Sequence, residues 1–248
     1  MRRHDLDFRS RQFVDHVART LRCAVSGNSC LVSSLPQYLI FDLDGTIADS
    51  AEGILYSFRL TLDELGVTPS DEELRALIGP PLQDSFGRLG FKGQSLDEVV
   101  ERYREHYGRF GVQRAQLYEG IVSTLEQLDA SGVRMGVATA KRVDFAREML
   151  SQQGVAAYFE IIAGVSFDDS LVTKKQVMNE VLDFFAPHDR RGVWMVGDRE
   201  QDVLASIFHG VVPIGVLWGY GSRDELELSG AEFIIESPDQ LFEINVDH

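Results

Sequence analysis

Short apolar runs alternate with amphipathic stretches from Tyr38 almost to the end of the chain. The runs are rich in β-branched and aromatic residues and are nearly uninterrupted, as expected for strands that are buried on both faces. This alternation is typical of a parallel sheet flanked by helices. We predict a doubly wound, Rossmann-like α/β core with six strands, at residues 38–43, 133–139, 159–163, 193–196, 211–217 and 233–235.

One long segment breaks this alternation, because it contains several helical patterns and no convincing strand. We predict that residues 53–111 form an inserted all-helical cap domain, and that residues 37–52 and 112–248 form the α/β core domain. The predicted cap helices cover approximately residues 53–65, 71–78, 82–89 and 96–109.

Helix boundaries outside and inside the cap are marked by local signals. A hydroxyl residue followed three positions later by Glu or Gln is typical of a capping box. This pattern predicts helix starts at Ser70, Ser95, Thr173 and Ser222. A further helix should begin near Gly120 and end at Gly132, with Ile121, Leu125 and Leu128 on its packed face.

The charge of the chain limits the partners that it can bind. Its net charge is -15, with 24 basic and 39 acidic residues. Nucleic-acid polymers and anionic membrane surfaces are held mainly by clustered Lys and Arg, so neither is an expected partner. An anionic small molecule would need a local positive site, which a bound divalent cation would supply. No apolar run is long enough to span a bilayer, and we expect a soluble, cytoplasmic protein.

Residues 1–36 differ in composition from the rest of the chain, because their basic residues outnumber their acidic ones. We expect an N-terminal extension without a catalytic role. The acidic residues Asp5, Asp7 and Asp15 argue against an organelle transit peptide. The two cysteines, Cys23 and Cys30, both lie in this extension and are expected to be free thiols.

Two carboxylates follow the first predicted strand, in the sequence Asp42-Leu-Asp44-Gly-Thr46. Ligands of open parallel sheets bind beyond the carboxyl ends of the strands, so these side chains lie where chemistry is expected. One carboxylate can attack phosphorus to give an aspartyl-phosphate, while the second protonates the departing alcohol and later activates water. The repulsion between these groups and a phosphate calls for a cation, for which Mg²⁺ is suitable. The alternative is that both are ordinary turn residues.

A second acidic pair follows a later strand. Asp198 comes directly after the apolar run 193–196 and Gly197, and Asp202 follows four residues later. A helix starting near Arg199 would direct Asp202 back towards the site. We expect Asp198 to complete the set of metal ligands and Asp202 to orient these ligands without binding the metal itself. Taken alone, this spacing is also compatible with a simple helix cap.

Two further positions could contact a phosphoryl group. Thr139 ends a predicted strand, where its hydroxyl could act together with backbone N–H groups at the start of the next helix. Lys174 falls in the first turn of a predicted helix, an unfavourable place for a cation unless a negative group compensates. It could neutralise charge on the phosphoryl group and on Asp42. Lys175 is the rival for this role.

These motifs, in this order, resemble the four motifs of the haloacid dehalogenase superfamily over residues 37–245. Within it the chain resembles the phosphoglycolate phosphatase-like subgroup, whose helical cap is inserted after the first strand. The segments 78–82, 138–141 and 215–222 are also similar to stretches of those proteins. The chain departs from the common pattern at Ala140, where many members have Asn, and at Lys175, where Pro is frequent.

The resemblance implies a Mg²⁺-dependent phosphatase with Asp42 as nucleophile and Asp44 as acid/base. It implies Thr139 and Lys174 as phosphate binders, and Mg²⁺ held by Asp42, the backbone carbonyl of Asp44, and Asp198. Asp44 argues against a dehalogenase, since displacement of a halide leaves no oxygen to protonate. The full set of candidate phosphate-binding or substrate-binding residues is Gly45, Thr46, Thr139, Ala140, Lys141, Gln83 and Arg88, with Tyr56 at the rim.

The substrate is expected to be a small phosphorylated metabolite, and the protein a monomer or homodimer. Phosphoglycolate, a nucleoside 5′-monophosphate, a sugar phosphate and pyrophosphate remain open. A phosphomutase resembling β-phosphoglucomutase would use the same motifs, and a non-catalytic regulatory protein is the other alternative. The intact acids count against the regulatory alternative, because such a role does not need them.

Overall fold

A computed structural model describes residues 35–166 and 173–246. The predicted extension 1–36 lies almost entirely outside these residues. Six strands form one parallel sheet: β1 (Tyr38–Phe41), β4 (Arg134–Arg142), β5 (Ile161–Val165), β6 (Val193–Gly197), β7 (Val212–Val216) and β8 (Phe233–Ile235). Their spatial order, β5-β4-β1-β6-β7-β8, places β1 in the interior of the sheet. The prediction of a doubly wound parallel α/β core with six strands is confirmed.

A small antiparallel pair was not predicted. The strands β2 (Ala48–Asp49) and β3 (Gln116–Leu117) pair with each other, although residues 50–115 separate them in the chain. Each has only two residues, too few to show an alternating pattern in the sequence. This pair joins the point where the chain leaves the core to the point where it returns.

Between β2 and β3 the chain forms α1 (Ala51–Glu64), α2 (Asp71–Arg75), α3 (Leu82–Arg88) and α4 (Gln94–His106). A π-helical turn at Tyr107–Gly111 and a 3₁₀ turn at Val112–Arg114 follow α4. All four expected helices are present. The limits of the cap domain, 53–111, stay a proposal, and we call this stretch the helical segment.

The helices that flank the sheet are α5 (Ile121–Ala130), α6 (Val143–Gln152), α7 (Lys174–Phe185), α8 (Glu200–His209) and α9 (Arg223–Ser229). Apolar side chains fill both faces of the sheet. One cluster joins Leu39 and Phe41 of β1 to the buried residues of the helical segment, and the other joins Ile40 to Val177 and Val181 of α7. Burial on both faces explains the uninterrupted apolar character of the strands.

The capping predictions have mixed outcomes. The reciprocal boxes at Ser70 and Thr173 are formed. Ser222 accepts from the N–H of Glu225, but the Glu225 carboxylate binds Arg199 instead of closing the box. The cap at Ser95 is wrong, because α4 begins at Gln94 with Gly93 as its N-cap, two residues earlier, and the Ser95 hydroxyl instead donates to the carbonyl of Lys92. None of the helices in the described part of the chain is long and apolar enough to cross a membrane.

Candidate active site

Three neighbouring strands deliver polar side chains to one edge of the sheet. Asp42 directly follows β1, Asp198 directly follows β6, and Thr139 lies in the last part of β4. Because these strands are adjacent and parallel, their carboxyl ends meet. All three side chains are buried. The structure therefore brings together the predicted motifs, which are more than 50 residues apart in the chain.

Lys174 contacts two carboxylates at once. Its Nζ lies 2.6 Å from Oδ1 of Asp42 and 2.8 Å from Oδ1 of Asp202, and it donates to the carbonyl of Ala138 at 2.9 Å. These carboxylates are the negative groups that a cation in the first turn of α7 requires. Lys175, the rival in the sequence, is exposed, and its Nζ lies over the ring of Phe208. The structure thus places Lys174 at the site.

Asp42, Asp198 and Asp202 form a buried cluster in which one oxygen of each lies within 4.8 Å of the others. Even with the Lys174 ammonium, the fully ionised cluster would carry two excess negative charges. Burial, together with the neighbouring carboxylates, raises the pKa of Asp42 to about 7, although Lys174 opposes this effect. Burial and the charges of Asp202 and Asp42 raise the pKa of Asp198 to about 8. An additional cation would relieve this repulsion.

The donor atoms fit a magnesium ion. Carboxylate oxygens are hard ligands of the kind that Mg²⁺ prefers. Within the described ranges, Oδ1 of Asp42 and Oδ1 of Asp202 are buried and accept no hydrogen bond of good geometry, despite their ion-pair contacts with Lys174. The cluster contains the Asp202 carboxylate and not that of Asp44. The role of the Asp44 backbone carbonyl as a ligand stays a prediction.

The backbone packs closely around Asp198. Gly45 has φ +85°, and a Cβ atom added there would lie 2.2 Å from Oδ2 of Asp198. The same oxygen accepts from the N–H of Tyr220 at 2.7 Å, and Oδ1 accepts from the hydroxyl of Thr46 at 3.4 Å. Gly45 and Thr46 therefore position Asp198. Neither is among the described residues that line the cavity of the site, which is described below.

Asp44 is held at both of its carboxylate oxygens. Oδ1 accepts from the hydroxyl of Ser50 at 2.5 Å, and Oδ2 lies 3.0 Å from Nζ of Lys141. Lys141 also donates to the hydroxyl of Tyr107 at 2.6 Å. Sequence reasoning missed Ser50 and Tyr107, since neither lies in a recognisable motif. Only the proximity of Ser50 to the Asp42–Thr46 motif could have suggested it.

A cavity of about 340 Å³ opens between these residues and the helical segment. The part of its wall nearest the sheet includes residues at or just after the carboxyl ends of the strands and in α7: Asp42, Asp44, Thr139, Ala140, Lys141 and Lys174. The helical segment and α6 contribute further lining residues, among them Phe58, Gln83, Tyr103, Tyr107 and Phe145. Arg199, Gln201, Asp202 and Tyr220 also line the cavity. A volume of this size is at the lower end of the range for small-molecule sites.

Two of the candidate substrate contacts, Arg88 and Tyr56, lie away from the cavity. Arg88 is exposed near the end of α3 and is not among the described residues that line the cavity. Tyr56 packs against Phe110 and lies under the guanidinium of Arg114. Gln83 and Lys141 do line the cavity. The strand β4 also continues to Arg142, so Thr139 lies inside a strand and three residues precede the next helix.

Comparison with known proteins decides the family. Residues 39–216 match the model of the haloacid dehalogenase-like hydrolases. The chain belongs to this family. The predicted resemblance is confirmed, and the match includes every motif from Asp42 to Asp202.

The relatives of this chain differ in the activity that their names state. The tyrosine-protein kinase PtkA of Mycobacterium tuberculosis is 39% identical over 193 residues, which are 77% of this chain and 66% of that protein. The chain thus spans slightly less than two thirds of PtkA. A 5′-nucleotidase of Pseudomonas aeruginosa is 36% identical over 193 residues, covering 76% of this chain and 86% of the relative. A phosphoglycolate phosphatase of Vibrio parahaemolyticus is 27% identical over 227 residues, covering 83% and 94%.

Solved structures agree with the fold of this haloacid dehalogenase-like chain. The crystal structure of a predicted phosphatase from Clostridium acetobutylicum superposes with a TM-score of 0.79 at 34% identity, covering 85% of this chain and 98% of the other. The predicted enzyme class, a phosphomonoester hydrolase of this superfamily, is supported by these relatives and structures.

Proposed function

We propose that this protein is a Mg²⁺-dependent phosphatase that hydrolyses a small phosphomonoester through an aspartyl-phosphate on Asp42. The observation that carries the proposal is the position of Asp42, whose carboxylate contacts Lys174 at the floor of the cavity, with Asp44 also lining that cavity. A nucleophile, an acid/base and a fixed cation therefore face one space of small-molecule size.

In the first half-reaction, an Asp42 oxygen attacks phosphorus and the bond to the ester oxygen breaks. Asp44 protonates that oxygen, so the alcohol leaves in neutral form. In the second half-reaction, Asp44 takes a proton from water, which attacks the phosphorus of the aspartyl-phosphate and releases Asp42. Lys174 and Thr139 face the phosphoryl oxygens and stabilise their charge.

Asp42 and Asp198, with the Asp44 backbone carbonyl, would hold the metal, and Asp202 would orient Lys174. When bound, Mg²⁺ supplies positive charge that reduces repulsion between the carboxylates and the phosphate. The charge of the cluster supports this assignment, because two excess negative charges match one divalent cation.

The walls of the cavity favour an organic group of some size beyond the phosphate. Phe58, Tyr103, Tyr107 and Phe145 line it, and because these rings are buried against one another they form an apolar wall. The similarity to a 5′-nucleotidase points in the same direction. We therefore rank nucleoside 5′-monophosphates above phosphoglycolate, sugar phosphates and pyrophosphate as substrates.

A panel of phosphorylated metabolites, each assayed with Mg²⁺ and with EDTA, tests this function through the phosphate released. We expect Mg²⁺-dependent release that is fastest with a nucleoside 5′-monophosphate. Isomerisation of sugar phosphates without phosphate release would instead show a phosphomutase. Inactivity on every compound would support the regulatory alternative.

A second candidate is phosphoryl transfer to tyrosine, which the 39% identity to PtkA favours. Transfer to tyrosine differs from hydrolysis in the group that accepts the phosphoryl. Incubation with ATP and a tyrosine-containing peptide, followed by mass spectrometry of the peptide, separates the two. We expect no phosphopeptide under conditions in which the metabolite panel is hydrolysed.

A further inference from the structure

A buried chain of polar groups connects the helical segment to Asp44. The hydroxyl of Tyr107 accepts from Nζ of Lys141 at 2.6 Å, and the same Nζ lies 3.0 Å from Oδ2 of Asp44. The Lys141 side chain is 6% exposed and Tyr107 is 2% exposed. We propose that Tyr107 positions Lys141, and that Lys141 fixes the carboxylate of Asp44 for acid/base catalysis. This inference rests on the proposed function of Asp44.

Two partners restrain the Asp44 carboxylate from opposite sides. The hydroxyl of Ser50 holds Oδ1, and the ammonium of Lys141 holds Oδ2. Loss of either partner would let the carboxylate rotate about its terminal bond, which is a soft torsion. Proton transfer requires the oxygen that carries the proton to lie within hydrogen-bonding distance of the leaving group. Lys141 therefore affects catalysis through Asp44 rather than by contact with the ester.

The position of Tyr107 is fixed by its neighbours. Its ring stacks on Tyr103 with 5.9 Å between centroids and packs against Phe145 at 5.5 Å. Gly111 allows this arrangement, because a Cβ atom there would lie 2.5 Å from the Tyr107 ring. Burial raises the pKa of Tyr107 well above its ordinary value, so the hydroxyl remains neutral and can accept from Lys141. The helical segment thereby contributes to the geometry of an acid/base residue in the core.

The rival role for Lys141, a candidate phosphate-binding or substrate-binding residue in the sequence, is direct contact with the phosphoryl group. The two roles predict different kinetics. Removing a phosphate ligand weakens catalysis with every phosphomonoester to a similar extent. Misplacing the general acid harms mainly those substrates whose leaving group needs a proton. An alkyl alkoxide needs that proton, whereas p-nitrophenolate is a good leaving group without it.

The test compares wild type, Tyr107→Phe, Lys141→Met and Lys141→Arg on two substrates, adenosine 5′-monophosphate and p-nitrophenyl phosphate. The quantity to measure is kcat/KM, because it reports the first chemical step for each substrate. Tyr107→Phe retains the packed ring and removes only the hydroxyl. Tyr158→Phe and Lys92→Met are the controls, since neither residue is among the described residues that line the cavity and Lys92 is exposed.

We expect kcat/KM for adenosine 5′-monophosphate to fall roughly tenfold in Tyr107→Phe and roughly 100-fold in Lys141→Met. With p-nitrophenyl phosphate, kcat/KM should fall about threefold or less, because its leaving group departs without a proton. Lys141→Arg should recover part of the selective loss, and the pH profile with adenosine 5′-monophosphate should change in Lys141→Met but not in Lys92→Met. If Lys141→Met does not fold, Tyr107→Phe decides.

An equal loss with both substrates would overturn the inference and assign Lys141 to phosphate binding. Unchanged kinetics in Tyr107→Phe and Lys141→Met would overturn it as well. Asp42→Asn separates these failures from a failure of the proposed function. If Asp42→Asn is inactive while both positioning variants match wild type, only the present inference falls; if Asp42→Asn remains active, the phosphatase mechanism itself is wrong.

Discussion

The ammonium of Lys174 lies between the carboxylates of Asp42 and Asp202, 2.6 Å from one and 2.8 Å from the other. Burial disfavours a charged lysine, but the two carboxylates outweigh this effect and raise the pKa of Lys174. The residue is therefore a cation at neutral pH. It can stabilise the incoming phosphate without a change of its own protonation state.

Lys174→Met tests this role. We expect kcat/KM to fall roughly 100-fold or more, because a preorganised charge is lost from the phosphoryl site. The protein should also lose about 3 kcal/mol of stability, since buried carboxylates lose their partner. Lys175→Met is the matched control, as its side chain is exposed and lies over Phe208. Similar kinetics for both variants would contradict the assignment of Lys174.

The raised pKa values of Asp42 and Asp198 predict that stability depends on pH in the absence of metal. Their ordinary pKa is 3.8, and in the folded protein the pKa values rise to about 7 and about 8. Between pH 3.8 and about pH 8 the folded state binds more protons than the unfolded state. The free energy of unfolding that these two groups contribute therefore falls as pH rises. Below pH 3.8 both carboxyl groups are protonated in the folded and in the unfolded state, so they no longer destabilise the folded protein.

Magnesium should therefore stabilise the protein more at pH 8 than at pH 5.5, because protons compete for the same carboxylates. Thermal unfolding with EDTA and with Mg²⁺ at both pH values measures this difference. Asp198→Asn should abolish most of the gain at pH 8, whereas the exposed variant Asp129→Asn should retain it. A gain from Mg²⁺ that is independent of pH, or larger at pH 5.5, would count against the cluster as the metal site.

Gly45→Ala tests the packing around Asp198. Residue 45 has φ +85°, and the new Cβ would lie 2.2 Å from Oδ2 of Asp198. We expect a loss of about 1–3 kcal/mol in stability and a displaced Asp198 with weaker Mg²⁺ affinity. Gly132→Ala is a close control, because residue 132 has φ +78° and open space around it. Both variants incur backbone strain, so equal Mg²⁺ affinities would show that the contact with Asp198 does not matter.

Much of the site was predictable because its residues occupy positions that sequence reveals directly. Asp42 and Asp198 end buried strands, and adjacent parallel strands bring such ends together. The same reasoning indicated a cation at Lys174 or Lys175, because a cation at a helix N-terminus needs negative neighbours, and the structure decides for Lys174. These inferences require only the local pattern and the general geometry of parallel sheets.

The remaining features depend on contacts between distant segments. Tyr107 reaches Lys141 across 34 positions of the chain, and no local pattern marks that pairing. β4 extends past Thr139 because Arg142 pairs with Val165 after an irregularity in the ladder. Arg88 lies near Gly79-Pro80-Pro81 in the sequence, but the direction in which a side chain points from a short helix depends on tertiary packing. The structure leaves it exposed.

The most direct test of the central claim is the rate of phosphate release by Asp42→Asn and wild type with Mg²⁺, on the best substrate of the panel. Asp129→Asn serves as the matched exposed control. The nucleophilic mechanism predicts that Asp42→Asn folds, with a circular dichroism spectrum like that of wild type, and releases phosphate at less than roughly one thousandth of the wild-type rate. A folded Asp42→Asn variant with a near-normal, Mg²⁺-dependent rate would contradict it.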